Sequence, residues 1–86
     1  GLNLQGIIIK ECFAKNVDFR QADLSQANFD GTDLSDSQFV HTNLTSADLT
    51  GSRNYTIDVT QNKVSKAKFS LPEAVSLLYC LDIEME

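Results

Sequence analysis

A period of five residues runs from Asn16 to Gly51 and limits what this chain can fold into. In each repeat the first residue is small or compact, the second is polar, usually Asp or Asn, and the third is Phe or Leu. The third residues are Phe19, Leu24, Phe29, Leu34, Phe39, Leu44 and Leu49. Internal repetition of this regularity is the signature of a repeat architecture.

This period matches neither the helical period of 3.6 nor the strand period of 2. On a helix, apolar residues five apart would spiral around the axis and leave no single buried face. On a flat strand they would alternate between the two faces. The pattern therefore predicts a coil that turns a corner every five residues, with four sides in a turn of about twenty residues. Successive coils would stack about 4.8 Å apart, at the spacing of neighbouring strands.

Residues twenty apart should then lie above one another in a core ladder. The predicted ladder consists of Leu4, Ile9, Phe19, Leu24, Phe29, Leu34, Phe39, Leu44, Leu49, Val59, Val64 and Phe69. Phe19 above Phe39 would form an aromatic stack. The side that carries Ala14, Leu34 and Asn54 is uneven, so we expect a distortion near Asn54, whose amide needs backbone partners if it is buried. Glycines recur at the last position of a repeat, where a corner favours positive φ.

The repeated pattern resembles that of the pentapeptide repeat family over about residues 2–70. That resemblance implies a right-handed quadrilateral β-helix, so the expected fold class is an all-β solenoid of about three and a half coils over residues 2–70. The segment from Ala67 to Leu78 also resembles the C-terminal end of Qnr-type quinolone-resistance proteins.

Residues 71–86 are predicted to form a second unit, a short C-terminal capping helix and tail. Ser70 suits an N-cap, Pro72 the first turn and Glu73 the reciprocal position of a capping box, so the helix would run from about Leu71 to Tyr79. The remaining tail alternates apolar and polar residues, as a half-buried strand does. The unit either only covers the end of the solenoid or also makes a two-fold homodimer, as the resemblance implies. The residues expected at that dimer interface are Leu71, Val75, Leu78, Tyr79, Leu81 and Ile83.

The first coil is unusual because Leu2, Ile7 and Val17 are large for the first position, while Ile8 and Phe13 fall on outward positions. An uncovered coil end exposes apolar surface and unpaired edge groups. We therefore expect this chain to be a piece of a longer solenoid; the alternative is a natural start with local repacking.

The cysteines predict no disulfide and no metal site. Cys12 falls on a first position, where we expect a small buried side chain, and Cys80 is far away in sequence. Two cysteines and one histidine lack any zinc spacing. We therefore expect reduced thiols in the bacterial cytoplasm.

The residues do not favour an enzyme. His41, the one histidine, occupies an outward repeat position, and no glycine-rich phosphate loop is present. The aspartates recur because the repeat needs a polar second residue, which creates no pair of carboxyl groups with divergent pKa values. The interpretation is a non-enzymatic protein without a cofactor, without a membrane span and, at a net charge of −5, without direct nucleic-acid binding.

Seven aspartates against two arginines lie between Asp18 and Asp58 and give this stretch a net charge of −5. These predicted partner-facing residues are Asp18, Asp23, Asp30, Asp33, Asp36, Asp48 and Asp58. Over about two coils, this density is comparable to the one charge per about 1.7 Å of duplex DNA. The resemblance implies a DNA mimic that binds DNA gyrase or topoisomerase IV and lowers fluoroquinolone susceptibility.

The alternative is a structural or interaction scaffold with another partner, in which the aspartates only solubilise the coil and hydrogen-bond its corners. Qnr-type proteins carry long loops that interrupt the coils and are needed for protection. This chain has no such insertion, which leaves the resistance activity open.

Overall fold

The computed structural model describes residues 2–70, which wind into a four-sided β-helix. Its two strands, β1 (Asp48–Leu49) and β2 (Lys68–Phe69), pair in parallel with Asp48 opposite Lys68. Further parallel bridges also join residues twenty apart. They are Asn3–Asp23, Ile8–Asn28, Phe13–Asp33, Asp18–Gln38, Asp23–Asn43, Asn28–Asp48, Asp33–Arg53 and Asn43–Lys63. The predicted C-terminal helix, tail and dimer contacts, from Leu71 onward, lie outside the described residues.

Two backbone hydrogen bonds build each rung of the β-helix. The N–H of a third residue donates to the carbonyl of the second residue of the next coil, as from Leu4 to Asp23 at 2.8 Å. The N–H of that second residue donates back to a first residue, as from Asp23 to Leu2 at 2.8 Å. Each side of a coil contains a strand of only one or two residues, and this strand is hydrogen-bonded to the coils above and below it. A sequence without long strands therefore still forms a sheet on each face.

The fifth residue of each repeat makes the corner. At most corners a turn hydrogen bond closes around it, such as the one from the Ile7 N–H to the Leu4 carbonyl at 3.1 Å. At Glu11, Asn16 and His41 the N–H of the next residue donates instead to a side-chain oxygen one coil below. Corner residues have positive φ, from 52° at Glu11 and His41 to 74° at Gly6. A turn with positive φ at its third residue belongs to the type II class, which glycine accommodates without steric cost. At most corners of this chain a side chain accepts that conformation instead.

The core lies along the axis. Fully buried third residues lie at the end of the first coil, throughout the second and in the first half of the third, and they are Phe19, Leu24, Phe29, Leu34, Phe39, Leu44 and Leu49. Leu4, Ile9, Val64 and Phe69, near the two ends, are half-buried against this cluster. The Phe19 and Phe39 rings stack with centroids 5.1 Å apart and planes 20° apart, as the spacing of twenty predicts. Val59, next in the same ladder, is only half-buried.

Small first residues complete the core, and their hydroxyl groups tie coils together. Thr32, Ser37 and Thr42 are buried beside alanines at equivalent positions. The Thr42 hydroxyl donates to the Phe19 carbonyl at 2.7 Å, and the Ser37 hydroxyl donates to the Ala14 carbonyl at 2.6 Å. Because the hydroxyls of Thr32, Ser37 and Thr42 each have a partner in the preceding coil, Ser and Thr are tolerated where alanine would otherwise be favoured.

The distortion expected at Asn54 is present, but it has another form. Pairing on the Ala14 side continues to Arg53, where the Leu34 N–H donates to the Arg53 carbonyl at 2.9 Å. Asn54 then turns outward at a φ of 61° and is exposed, so its amide is not buried. Tyr55 is buried in its place, one residue late. The break in pairing falls on the next side, where Gln38 bridges Asp18 but no bridge to Asp58 forms within residues 2–70.

Cys12 is exposed, which contradicts the expected burial of this side chain. Its thiol donates to the Lys10 carbonyl at 2.9 Å, while the equivalent hydroxyls one coil below donate into the coil above them. Within residues 2–70 the first coil has no coil above it. Leu2, Ile8 and Phe13 in this coil are correspondingly 68%, 69% and 76% exposed.

No helix within residues 2–70 has the length and apolar character required to cross a membrane.

Candidate protein-interaction surface

The seven aspartates predicted to face a partner are spread around all four sides of the β-helix. Asp18 and Asp58 belong to the side of Phe19, Asp23 to the side of Leu4, Asp33 to the side of Leu34, and Asp48 to the side of Leu49. Asp30 and Asp36 occupy the fourth and fifth positions of their repeats. The fold therefore surrounds the shaft with carboxylates and does not collect them on one face.

Most of these carboxylates also hold the corner that follows them. The Asp23 side chain accepts the Ser25 N–H at 3.0 Å and the Ser25 hydroxyl at 2.7 Å. Equivalent bonds from the backbone two residues further on reach Asp18, Asn28, Asp33, Asn43, Asp48 and Asp58. This Asx-turn explains why the second position of the repeat is Asp or Asn, since both present a side-chain oxygen at the right distance from the backbone.

The same hydrogen bonds favour the charged form of the carboxyl groups. The Arg20 guanidinium donates to both oxygens of Asp18, at 2.9 and 2.8 Å, and it lowers the pKa of Asp18 to about 2. Side-chain hydrogen bonds from Ser25, Ser35, Thr50 and Thr60, followed by backbone bonds from the same residues, lower the pKa of the aspartates that precede them. These aspartates, Asp23, Asp33, Asp48 and Asp58, therefore stay ionised at neutral pH.

Asp33 is buried, with 7% of its surface exposed, so its assignment as a partner-facing residue is wrong. Its carboxylate receives the Ser35 N–H at 3.0 Å and the Asn54 side-chain amide at 3.3 Å. The Lys15 ammonium lies 3.8 Å away. Neighbouring side chains therefore contact this carboxylate on several sides. Asn54 is one of them, because it turns outward directly beside Asp33.

Charge is banded along the axis. Residues 21–52 contain five aspartates and no Lys or Arg, a net charge of −5. Residues 2–20 carry three basic and two acidic side chains, and residues 53–70 carry four basic and one acidic. Residues 2–70 together therefore have a net charge of only −1, and the remaining −4 comes from acids beyond Ser70. The net charge of −5 between Asp18 and Asp58 does not represent all of residues 2–70, because the lysines lie just outside that stretch.

A groove in the described surface follows the corner between the Phe19 and Leu4 sides. It is lined by Gln21, Asp23, His41, Asn43 and Lys63, among others. His41 is exposed there, and its backbone N–H donates to the Gln61 carbonyl at 2.9 Å. No group of three metal-ligating side chains lies together within residues 2–70. The groove therefore offers polar contacts to a partner and no recognisable catalytic arrangement.

Comparisons with known proteins agree with this geometry. Residues 15–51 match the family profile described as pentapeptide repeats, in eight copies. A search of curated proteins finds no significant match.

Solved structures that resemble the chain include full-length QnrB1, described as a plasmid-mediated fluoroquinolone resistance protein. The two share 21% identity at a TM-score of 0.60, over 94% of this chain and 43% of QnrB1. Two trypsin-treated variants of QnrB1 share 25% identity over 98% of this chain and 43% of theirs, at TM-scores of 0.49. The chain therefore spans less than half the length of QnrB1. Residues 15–51 of this chain therefore match pentapeptide repeats, and the fold is a right-handed β-helix.

Proposed function

We propose that the protein is a non-enzymatic, quinolone-resistance-type protein that binds DNA gyrase or topoisomerase IV through the acidic middle of its β-helix, in the bacterial cytoplasm. The observation that carries this proposal is the likeness of the fold to QnrB1 over 94% of the chain. The protein would present fixed negative charge on a rigid shaft to a protein surface that otherwise binds DNA.

The charge argument applies to residues 21–52 alone. These 32 residues cover about 1.6 coils, or about 8 Å of axis at the strand spacing. Duplex DNA carries four to five charges over about 8 Å. Four of the five aspartates of this band, all except the buried Asp33, are available to a partner and match the lower end of that density, whereas the flanking coils carry net positive charge. We therefore propose that residues 21–52 imitate a short stretch of duplex DNA and that the coils on either side of them are basic.

Gyrase supercoiling in the presence of ciprofloxacin tests the proposal. The protein should protect supercoiling, and the double variant Asp30→Asn with Asp36→Asn should protect less. These two aspartates suit the test because neither is an acceptor in the corner hydrogen bonds within residues 2–70. The matched control is Glu11→Gln, an exposed acid outside the band, which should leave protection unchanged. A protein that neither protects nor inhibits gyrase at micromolar concentration would exclude this function.

A homodimer through residues 71–86 is part of the same proposal. Its support is the sequence resemblance of this segment to the C-terminal end of Qnr-type proteins, together with the apolar residues Leu71, Val75 and Leu78. Light scattering should give twice the chain mass for the protein and the chain mass for Leu78→Asp. A protein that remains monomeric at high micromolar concentration would contradict the proposed dimer but would leave the proposed binding to gyrase unaffected.

The second candidate is a scaffold with a different partner. It is favoured by the net charge of −1 over residues 2–70 and by the use of most aspartates in corner hydrogen bonds. Within residues 2–70 the regular pairing is interrupted at residues 54–62, and this described part contains no long loop of the kind that Qnr-type proteins use. A pull-down from bacterial lysate that recovers another protein and no topoisomerase would support the scaffold.

A further inference from the structure

Two apolar side chains of the first coil, Ile8 and Phe13, depart from the pattern of the repeat. They occupy second positions, and every other second position within residues 3–68 holds a polar or charged residue. Their exposed fractions are 69% and 76%. An apolar side chain cannot accept the backbone hydrogen bond that Asp or Asn accepts at this position, so both residues forgo a contact that fixes the corner. We call these two residues the apolar pair.

Neither residue of the apolar pair is out of register. Ile8 pairs in parallel with Asn28, and Phe13 pairs in parallel with Asp33, as residues twenty apart do in the regular coils. Their side chains therefore point outward, because successive residues of a strand face opposite sides. Since most of their surface is exposed, packing within residues 2–70 does not explain why these two residues are apolar.

Phe13 is held in place although it is exposed. The Lys15 ammonium lies 5.2 Å from the centroid of the Phe13 ring and 3.8 Å from the Asp33 Oδ2. The ammonium therefore links the ring to a buried residue. A side chain that is already ordered loses little conformational entropy when a partner covers it. Aromatic side chains of this kind are frequent among the few residues that dominate the binding energy of a protein interface.

The apolar pair adjoins the acidic band of residues 21–52. Ile8 lies above Asn28, which in turn lies above Asp48 on the same side of the β-helix. Asp30 belongs to the same side in the coil between them. Because neighbouring coils are only about 4.8 Å apart, one protein surface can contact Ile8 and these two carboxylates together.

The corner between the sides of Ile8 and Phe13 is open to close approach. In the second and third coils this corner is a glycine, first Gly31 and then Gly51, each at a φ of 72°. A glycine corner carries no side chain that would keep a partner away from the backbone. A partner can therefore reach both residues of the apolar pair across this corner.

Charge and apolar contact contribute differently to such an interface. Complementary charges mainly accelerate association and make binding sensitive to salt. Apolar residues that a partner covers completely mainly slow dissociation, and salt screens their contribution little. An interface formed by the acidic band alone would therefore dissociate quickly and weaken strongly with salt.

We infer that Ile8 and Phe13 are the apolar anchors of the interface through which the acidic band binds its protein partner, and that this partner has an apolar pocket beside its DNA-binding surface. The inference rests on the proposed binding to DNA gyrase or topoisomerase IV. It adds a contact that carries no charge and that DNA itself would not make.

The test is the double variant Ile8→Asn with Phe13→Asn, whose binding to DNA gyrase is measured by surface plasmon resonance at several salt concentrations. Asn is a regular second residue of the repeat, and the net charge does not change. The variant should bind gyrase about tenfold more weakly or worse, through faster dissociation. Its affinity should depend on salt as that of the original protein does. Asp30→Asn with Asp36→Asn should instead reduce the dependence on salt.

Gln38→Asn is the matched control for the double variant. It places the same residue at an exposed second position on the side of the β-helix opposite that of Ile8, and it should leave the affinity for gyrase unchanged. The urea midpoint of the double variant should not fall, because the apolar pair buries little surface.

Four results would overturn the inference. If the original protein binds gyrase and the double variant binds it equally well, the apolar pair takes no part in the interface while the proposed function stands. A lower urea midpoint of the double variant would assign the pair to the stability of the first coil. A changed mass in light scattering would assign it to a contact between copies of this chain. An original protein that does not bind gyrase at all would contradict both the proposed function and this inference.

Discussion

Each aspartate at the second repeat position does two things at once. Asp23, for example, closes a corner through Ser25 and also contributes a negative charge to the surface. The repeat accepts Asn at the same position, as at Asn28 and Asn43, because the amide oxygen makes the same bond to the backbone. Replacing Asp by Asn at the second position should therefore remove the charge and keep the hydrogen bond to the backbone.

The lowered pKa values predict a loss of stability in acid. A carboxyl group whose pKa is lower in the folded state stabilises the fold fully above its ordinary value near 3.9, and this contribution disappears as the pH falls through the folded value. For Asp18 the folded pKa is about 2, so the window runs from about pH 4 to about pH 2. The urea midpoint should fall across this window while staying nearly constant between pH 5 and pH 7.

The control for the acid effect keeps the corner bonds and removes the charge. It replaces Asp23, Asp33, Asp48 and Asp58 by Asn, the residue that already occupies equivalent positions. The urea midpoint of this variant should fall less between pH 4 and pH 2. An unchanged dependence on pH would assign the acid sensitivity to other groups.

At the scale of the element, the corner is the demanding part of the repeat. Positive φ is needed at the fifth residue, yet Glu11, Gln21 and Gln26 supply it as readily in this structure as glycine does. Left-handed backbone costs a non-glycine residue about 1 kcal/mol. The fold accepts this cost at Gln21 and Gln26 because each of these corners is fixed by a turn bond and by a side-chain bond from the second residue. At Glu11 the N–H of the next residue, Cys12, donates instead to the Thr32 hydroxyl oxygen one coil below.

Two glycine corners separate backbone strain from crowding. Gly6→Ala should cost about 1 kcal/mol, because φ is 74° and an added Cβ would have no atom within 4 Å. Gly51→Ala should cost more, about 1–2 kcal/mol, because at a φ of 72° its Cβ would also meet the Asp30 Oδ1 at 3.1 Å. Urea unfolding of both variants is the measurement. Equal costs would mean that Asp30 moves aside freely.

At the scale of the whole molecule, stability depends on having coils on both sides. Leu24 and Leu44 are fully buried, whereas Leu4 and Val64 in the same ladder are half-buried. In a solenoid each repeat is stabilised by its nearest neighbours, so the end coils contribute less burial than the middle ones. The exposed Leu2, Ile8 and Phe13 belong to one of these ends.

Replacing a leucine by alanine in an end coil and in a middle coil tests whether the end coils contribute less to stability. Leu24→Ala should destabilise the protein by about 2–5 kcal/mol, the range for a fully buried leucine. Leu4→Ala should cost less than half as much, because part of its side chain is already in contact with solvent. Chemical denaturation of the two variants gives both values. Similar costs would show that the first coil is packed as tightly as the second.

The period of five by itself determined the four-sided coil and the stacking of residues twenty apart, because no helix or flat strand can bury a side chain at every fifth residue. Phe19 over Phe39 follows from that spacing alone. The first and second positions were also readable, since small residues suit the core and Asp or Asn suits a corner.

Only the tertiary structure decided how exposed each polar side chain is. Asp33 is buried among its neighbours, and one of the groups that contact its carboxylate is the side chain of Asn54, twenty-one residues later. The one-residue shift at Tyr55 was hidden in the sequence, where Ile57 and Val59 keep the regular spacing. The fold buries the aromatic ring of Tyr55 and leaves the Asn54 amide exposed, because burying an amide without partners is unfavourable.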